Sequence, residues 1–176
     1  MTVYVALLRG INVGGHKRVP MARLVEVVAE AGGADVRTYI QSGNVVFAHR
    51  SDEAGLRADL ERGIAEAFGF DVSVVLRTAA EMAGVVDRNP YGDVEPTKLL
   101  VAFLAEAPDP DRAATIDRVT FAPEKFAVDG REVFLHLPDG AGRSKLVPAL
   151  GRGLLQPPAT TRNWRTVETL LAMAAG

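Results

Sequence analysis

The order of hydrophobic patterns in the first 77 residues restricts this part of the chain to few folds. Apolar runs predict strands at residues 3–8, 36–40, 45–48 and 71–76. Apolar side chains at helical spacing predict one helix over residues 21–31 and a second helix marked by Leu56, Leu60, Ile64 and Phe68. The resulting βαββαβ order is that of the ferredoxin-like plait.

The second half of the chain repeats this order after a connecting segment. Thr78 and Glu81 form a capping box that predicts a connecting helix, and the linker ends near Thr97. Strand, helix, strand, strand and helix patterns follow at residues 98–104, 109–118, 126–128, 133–137 and 144–150. A final helix is predicted to start near Asn163.

We therefore predict an α+β fold of two tandem ferredoxin-like plaits, duplicated at the level of the fold. The first unit covers residues 1–77, a connecting helix and linker covers 78–97, and the second unit with its C-terminal helix covers 98–176.

Composition bounds the function and the compartment. The chain has no cysteine, which excludes disulfides and thiolate metal sites and fits a reducing compartment. The apolar run at residues 3–8 is too short to cross a membrane. We expect a cytoplasmic protein without a membrane partner. The net charge of −2 argues against bulk nucleic-acid binding.

Charge is unevenly distributed along the chain. Residues 1–50 hold six basic and three acidic side chains, residues 51–128 hold eight and fifteen, and residues 129–176 hold six and four. Both ends are therefore basic. They could form one surface that attracts anions if they fold together, whereas simple scatter of charge is the competing interpretation.

Two polar segments follow the first two predicted strands: the glycine loop, residues 9–15, and the second loop, residues 41–44. In a βαββαβ plait these strands are parallel and strand three lies between them, so both loops reach the same sheet edge. A glycine-rich loop that leads into a helix can hold a carboxylate or a phosphate, and Lys17 would add charge.

The glycines have a simpler explanation as well. Gly14 and Gly15 could do no more than turn the chain between strand and helix. The spacing matches neither the phosphate-binding loop of NTPases nor the GxGxxG dinucleotide fingerprint.

A third cluster lies at residues 160–165 and contains Arg162, Asn163 and Trp164. Asn163 is predicted to cap the last helix and Trp164 to pack in the core. An arginine at a helix start opposes the helix dipole, so Arg162 implies an anionic ligand or a carboxylate partner.

Signals for catalysis are weak. His16, His49 and His136 are dispersed, so we predict no metal site, and we expect no cofactor. Ser42 is more typical of a turn serine than of a nucleophile. Strand three lacks the paired aromatic residues with which an open sheet stacks RNA bases, and both faces of strands one and three are apolar.

The three clusters together resemble the bacterial family of domain of unknown function 1697. The similar segments are residues 8–15 with Met21, residues 38–47 and residues 161–164. The resemblance implies two ferredoxin-like units in tandem and no established activity.

We hypothesise that a small anionic ligand, such as a nucleotide or a phosphorylated metabolite, binds at the edge shared by the glycine loop and the second loop. The candidate ligand-binding residues are Arg9, Asn12, Gly14, Gly15, Lys17, Gln41, Ser42, Asn44, Arg162, Asn163 and Trp164. Three alternatives stay open: a hydrolase or transferase that uses the same edge, a purely structural or protein-interaction role, and nucleic acid as a less favoured partner. The sequence does not fix the oligomeric state.

Overall fold

A computed structural model describes residues 1–176 as a mixed α+β protein with two four-stranded antiparallel sheets and six helices. The chain divides into two compact units. The first contains Met1–Ala83 together with Leu170–Gly176, and the second contains Gly84–Thr169.

The first unit follows the predicted element order. Its elements are β1 (Thr2–Leu8), α1 (Met21–Glu30), β2 (Ala34–Tyr39), β3 (Asn44–His49), α2 (Glu53–Phe68), β4 (Val74–Thr78) and the start of α3 (Ala79–Asp87). The strands pair antiparallel in the order β2-β3-β1-β4. The centre of the sheet is therefore formed by β3 and β1.

β4 begins later than predicted. Residues 71–73 precede the strand: Asp71 O accepts from the Lys17 side chain (Nζ) at 3.1 Å, and Ser73 O accepts from the backbone N of Arg9 at 3.0 Å. The predicted strand over 71–76 is wrong for these three residues.

Alternation along the strands builds the core of the first unit. Tyr4, Ala6 and Leu8 of β1 pack with Phe47 of β3 in one cluster that includes α1 and α2. The opposite face is also buried, since Val5 and its neighbours Leu7, Val46 and Val75 are at most 3% exposed. The first sheet therefore offers no open aromatic face on which RNA bases could stack, as its apolar pattern predicted.

Local capping rules explain the helix ends. Asp52 Oδ1 accepts from Gly55 N at 3.0 Å at the start of α2, and Gly69, with φ +79°, ends it in the left-handed region. Thr78 and Glu81 form the predicted capping box at the start of α3, with reciprocal bonds of 2.8 and 3.1 Å.

The second unit contains the end of α3, β5 (Leu99–Phe103), α4 (Pro110–Ala114), β6 (Lys125–Asp129), β7 (Glu132–His136), α5 (Leu146–Gly151), β8 (Thr160–Asn163) and the start of α6 (Trp164–Ala175). Its strands pair antiparallel in the order β6-β7-β5-β8. Leu100, Ala102, Phe126 and Leu135 form its core with α5.

Two predictions for the second half need correction. The helix predicted over residues 109–118 ends at Ala114, because the Asp117 side chain accepts from Val119 N at 3.0 Å and starts a separate 3-10 turn at Arg118–Phe121. Residues 160–163 form β8, whereas the sequence suggested only a helix start. The β-branched pair Thr160 and Thr161 was the missed strand signal.

Candidate functional site

The glycine loop and the second loop are in direct contact where β1 and β2 end, at the side of the first sheet that we call the loop edge. Leu8 N donates to Gly43 O at 2.8 Å, and Asn12 Nδ2 donates to Gln41 O at 2.8 Å. A Cβ on Gly43 would lie 2.6 Å from Ile11 Cδ1, so the two loops pack too closely for a side chain at this position. The predicted juxtaposition of the two loops is therefore confirmed.

The glycine loop continues into a tight hairpin over residues 12–17. Asn12 N donates to Lys17 O and His16 N donates to Val13 O, both at 3.0 Å. Gly14 and Gly15 have φ values of +58° and +77°, the pair of left-handed residues that a two-residue hairpin turn requires. The two glycines thus turn the chain, and the hairpin exposes every residue from 13 to 18.

Asn12 holds the base of this hairpin. Its Oδ1 accepts from Val19 N at 2.8 Å, and its Nδ2 donates to Val19 O at 3.0 Å as well as to Gln41 O. The side-chain amide of Asn12 therefore joins the hairpin to the segment before α1 and to the second loop.

Asn44 has a comparable position in the second loop. It is fully buried, and its Nδ2 donates to Tyr39 O and to Ser42 Oγ, both at 2.9 Å. Ser42 and Asn44 thus stabilise the turn between β2 and β3, as expected for an asparagine and a serine at such a position.

Arg9 and Lys17 line one cleft of about 340 Å³ at this edge. Its other lining residues come from α2 and from the segment before β4: Glu61, Asp71, Val72 and Ser73. Glu61 Oε1 accepts from Val74 N at 2.9 Å, which fixes its carboxylate at the start of β4. These four residues are distant from Arg9 and Lys17 in sequence, and only the folded sheet brings them together, so no sequence pattern predicted them.

Two exposed apolar side chains flank the contact between the loops and were also missed. Val13 is 65% exposed and Ile40 is 49% exposed. Ile40 has φ +48°, a conformation that β-branched residues rarely adopt. Val13 stands inside the polar glycine loop, which was a signal in the sequence, whereas Ile40 was assigned to the strand predicted over residues 36–40 and lies beyond the end of β2.

The third cluster belongs to the second unit. Asn163 Oδ1 accepts from Thr166 N at 2.9 Å and caps α6, and Trp164 is buried, as predicted. Arg162 lies on β8 opposite Val101 and donates to Thr160 Oγ1 at 2.7 Å and to Thr161 O at 3.0 Å. Burial lowers the pKa of Arg162 to about 10.

Arg77 occupies the equivalent position in the first unit. It lies on β4 opposite Val5, is 1% exposed, and donates to Leu76 O at 2.8 Å. In each unit a buried arginine therefore lies on the last strand, paired with the first strand of that unit. The residue that follows it caps the next helix.

The structure contains no group of three histidine, cysteine, aspartate or glutamate side chains arranged to hold a metal ion. None of its helices combines the length and apolar character that a membrane-spanning segment needs.

The fold and the loop edge define an α+β protein with two antiparallel sheets, one of which carries two joined polar loops. A family model described as protein of unknown function (DUF1697) matches residues 1–134, and the chain belongs to this family. The match includes both loops and ends within β7.

A solved structure, described as that of conserved bacterial protein SP0830 from Streptococcus pneumoniae, is similar to this chain with a TM-score of 0.82 and 24% identity. The similarity covers 100% of this chain and 99% of that chain. At this identity it establishes the fold. No curated protein matches the chain.

Proposed function

We propose that the protein binds a small anionic ligand, a nucleotide or a phosphorylated metabolite, at the loop edge of the first unit. The observation that carries this proposal is the charge of the joined loops. Residues 1–25 contain Arg9, Lys17, Arg18 and Arg23 and no acidic residue, and residues 36–51 contain no acidic residue either. A surface of one sign raises the local concentration of ligands with the opposite charge.

The hairpin places this charge where a ligand can reach it. Lys17 and Arg18 are exposed, and the Arg18 side chain forms neither a hydrogen bond nor an ion pair within the chain. Arg9 and Lys17 line one cleft that also contains the carboxylates of Glu61 and Asp71. The excess of positive charge therefore comes from Arg18 on the exposed hairpin, where the turn at Gly14 and Gly15 adds backbone amides. Guanidinium, ammonium and amide donors are the groups that bind phosphate.

Val13 and Ile40 add an apolar component to the proposed site. Neither side chain is covered, and the left-handed backbone of Ile40 costs roughly 1–2 kcal/mol. Contact with an apolar part of the ligand would give a function to the exposure of these two side chains and to the backbone conformation of Ile40.

A structural role of the polar motif is the second candidate, favoured by the hydrogen bonds of Asn12 and Asn44. Both amides join backbone segments to each other. A hydrolase or transferase that uses Ser42 remains a further hypothesis, which a titratable base within about 3 Å of Ser42 Oγ would favour. The assignment of Arg162, Asn163 and Trp164 to the ligand also stays a prediction.

We also infer that the two units are tandem ferredoxin-like plaits that arose by duplication. Their sheets share one strand order, and Arg77 and Arg162 occupy equivalent positions. The absence of cysteine supports a cytoplasmic location for the protein.

Thermal denaturation with a panel of mononucleotides, pyrophosphate and sugar phosphates tests the ligand proposal. A ligand at one hundred times its Kd stabilises the folded state by about 2.7 kcal/mol, and at this chain length each kcal/mol raises Tm by about 2–4 °C. We expect Arg9→Ala to remove the shift and Arg18→Ala to reduce it.

Arg50→Ala is the matched control. Arg50 is exposed and follows the other end of β3 from Asn44, so it lies at the opposite edge of the same sheet. It should leave the shift unchanged. A panel without any shift, or an equal effect of Arg50→Ala and Arg18→Ala, contradicts the proposal. Affinity for an oligonucleotide that falls steeply with salt indicates nucleic acid as the partner.

A further inference from the structure

We propose that a second, independent cleft in the second unit binds an aromatic ligand that carries a single anionic group. The cleft has a volume of about 500 Å³, within the range of small-molecule sites. It shares no residue with the loop edge. The lining residues used below are Tyr91, Arg118, Val119, Glu124, Lys125 and Phe126.

The walls of the cleft are apolar and uncovered. Val119 is 81% exposed, more than any other large hydrophobic side chain in the protein. It lines the cleft with the half-buried ring of Tyr91 and with Phe126. Exposure of such a side chain beside aromatic rings is unfavourable in water, and a flat apolar ligand that covers these groups would remove the penalty.

Arg118 contributes a flat cationic surface. Its guanidinium carbon lies 4.0 Å from the centre of the Phe126 ring, and its Nη1 donates to Phe126 O. These two contacts hold the guanidinium in place, so that the group can stack on a ligand ring or pair with an anion without first losing side-chain freedom.

The charge of the cleft selects an anion. Glu124 is its acidic lining residue, but its carboxylate accepts from Ser144 Oγ at 2.7 Å, Lys145 N at 2.8 Å and Leu146 N at 3.2 Å. This carboxylate is therefore committed to the start of α5. The Lys125 side chain forms neither a hydrogen bond nor an ion pair within the chain. The lining of the cleft therefore has an excess of positive charge, which comes from Arg118 and Lys125.

Tyr91 supplies a neutral donor. Burial raises the pKa of its hydroxyl, with a smaller opposing influence of Arg118, so that the phenol keeps its proton at neutral pH. The hydroxyl makes no hydrogen bond within the chain. The cleft therefore offers a carboxylate a neutral donor as well as the two cations.

The test uses the full chain and two matched probes, 2-naphthoate and the neutral 2-naphthylmethanol, in titrations followed by NMR. We expect saturable binding of both probes and tighter binding of the naphthoate. Lys125→Ala should weaken naphthoate about two- to fivefold, the range of an exposed ion pair, and leave naphthylmethanol unchanged. Val119→Asp should weaken naphthoate at least fivefold and naphthylmethanol less.

Ala54→Asp is the control, because it adds the same charge at an exposed apolar residue of the other unit that lines neither proposed site. It should leave both titrations unchanged, and thermal denaturation of each variant verifies that the fold is retained. The proposal is overturned by absence of saturable binding, by naphthylmethanol binding as tightly as naphthoate, or by equal effects of Ala54→Asp and Val119→Asp. None of these results affects the proposal for the first unit.

Discussion

Replacement of Gly43 by alanine tests the contact between the two loops directly. Gly43 has φ +85°, and an added Cβ would lie 2.6 Å from Ile11 Cδ1 and 2.8 Å from Leu8 Cβ. The Ile11 side chain is 2% exposed and cannot swing into solvent. Leu8 cannot withdraw easily, because its N donates to Gly43 O at 2.8 Å within the same contact.

Two costs add at this position. A left-handed backbone costs an alanine about 1–2 kcal/mol relative to glycine. Forcing a methyl group into a packed contact costs a further 1–3 kcal/mol or so. We therefore expect Gly43→Ala to lower the free energy of unfolding by about 2–5 kcal/mol.

Gly10→Ala separates the two costs. Gly10 has φ +69° in the glycine loop, and no heavy atom lies within 4 Å of the position that an added Cβ would take. This variant should lose only the backbone cost, about 1–2 kcal/mol. The difference of about 1–3 kcal/mol corresponds to a Tm roughly 2–12 °C lower for Gly43→Ala than for Gly10→Ala.

Urea denaturation followed by circular dichroism measures both variants. If Gly43→Ala destabilises the protein no more than Gly10→Ala, the two loops do not pack as closely as the structure indicates, and the proposed ligand site at their junction loses its basis.

Three further changes have defined outcomes. Asp52→Ala should lower the free energy of unfolding in urea by about 1 kcal/mol, because it removes the cap of α2. Asp93 is exposed and its side chain forms neither a hydrogen bond nor an ion pair, so Asp93→Ala is the control and should have little effect. Equal losses for the two variants would contradict the role of the cap. Ile40→Asn should raise Tm, because asparagine tolerates φ +48°, and should also reduce the ligand-dependent shift; a lower Tm would refute the assigned strain. Tyr91→Phe should reduce the loss of stability to urea above pH 10. The pKa of Tyr91 is raised in the folded state, so its contribution to the free energy of unfolding is complete below the usual pKa of 10.0 and is lost as the pH rises through the folded-state pKa. An unchanged alkaline profile would exclude that contribution.

Features governed by local rules could be predicted from the sequence. The cap at Asp52, the capping box at Thr78 and Glu81, and the cap at Asn163 each depend on residues within one helical turn. The contact between the loops was also predictable, because it follows from strand order in a βαββαβ unit.

Features that depend on contacts distant in sequence could not be predicted. Residues 71–73 precede β4, although Ser73 O still accepts from Arg9 N and Asp71 O accepts from the Lys17 side chain, and no local pattern in the sequence marks this strand boundary. The cleft of the second unit combines Tyr91 with residues 118–126, which only the fold brings together. Exposure of Ile40 likewise depends on the turn geometry and not on residue type.

The two buried arginines change the interpretation of Arg162. In the sequence it is a cation near a helix start and therefore suggests an anionic ligand or a carboxylate partner. In the structure Arg77 has the same strand position, a similar bond to the preceding carbonyl and the same place before a helix cap. A ligand at one site does not require this arrangement twice, whereas a fold with two similar units does. The equivalence favours a structural role for Arg162 and leaves the charge of the first-unit loops as the main support for ligand binding.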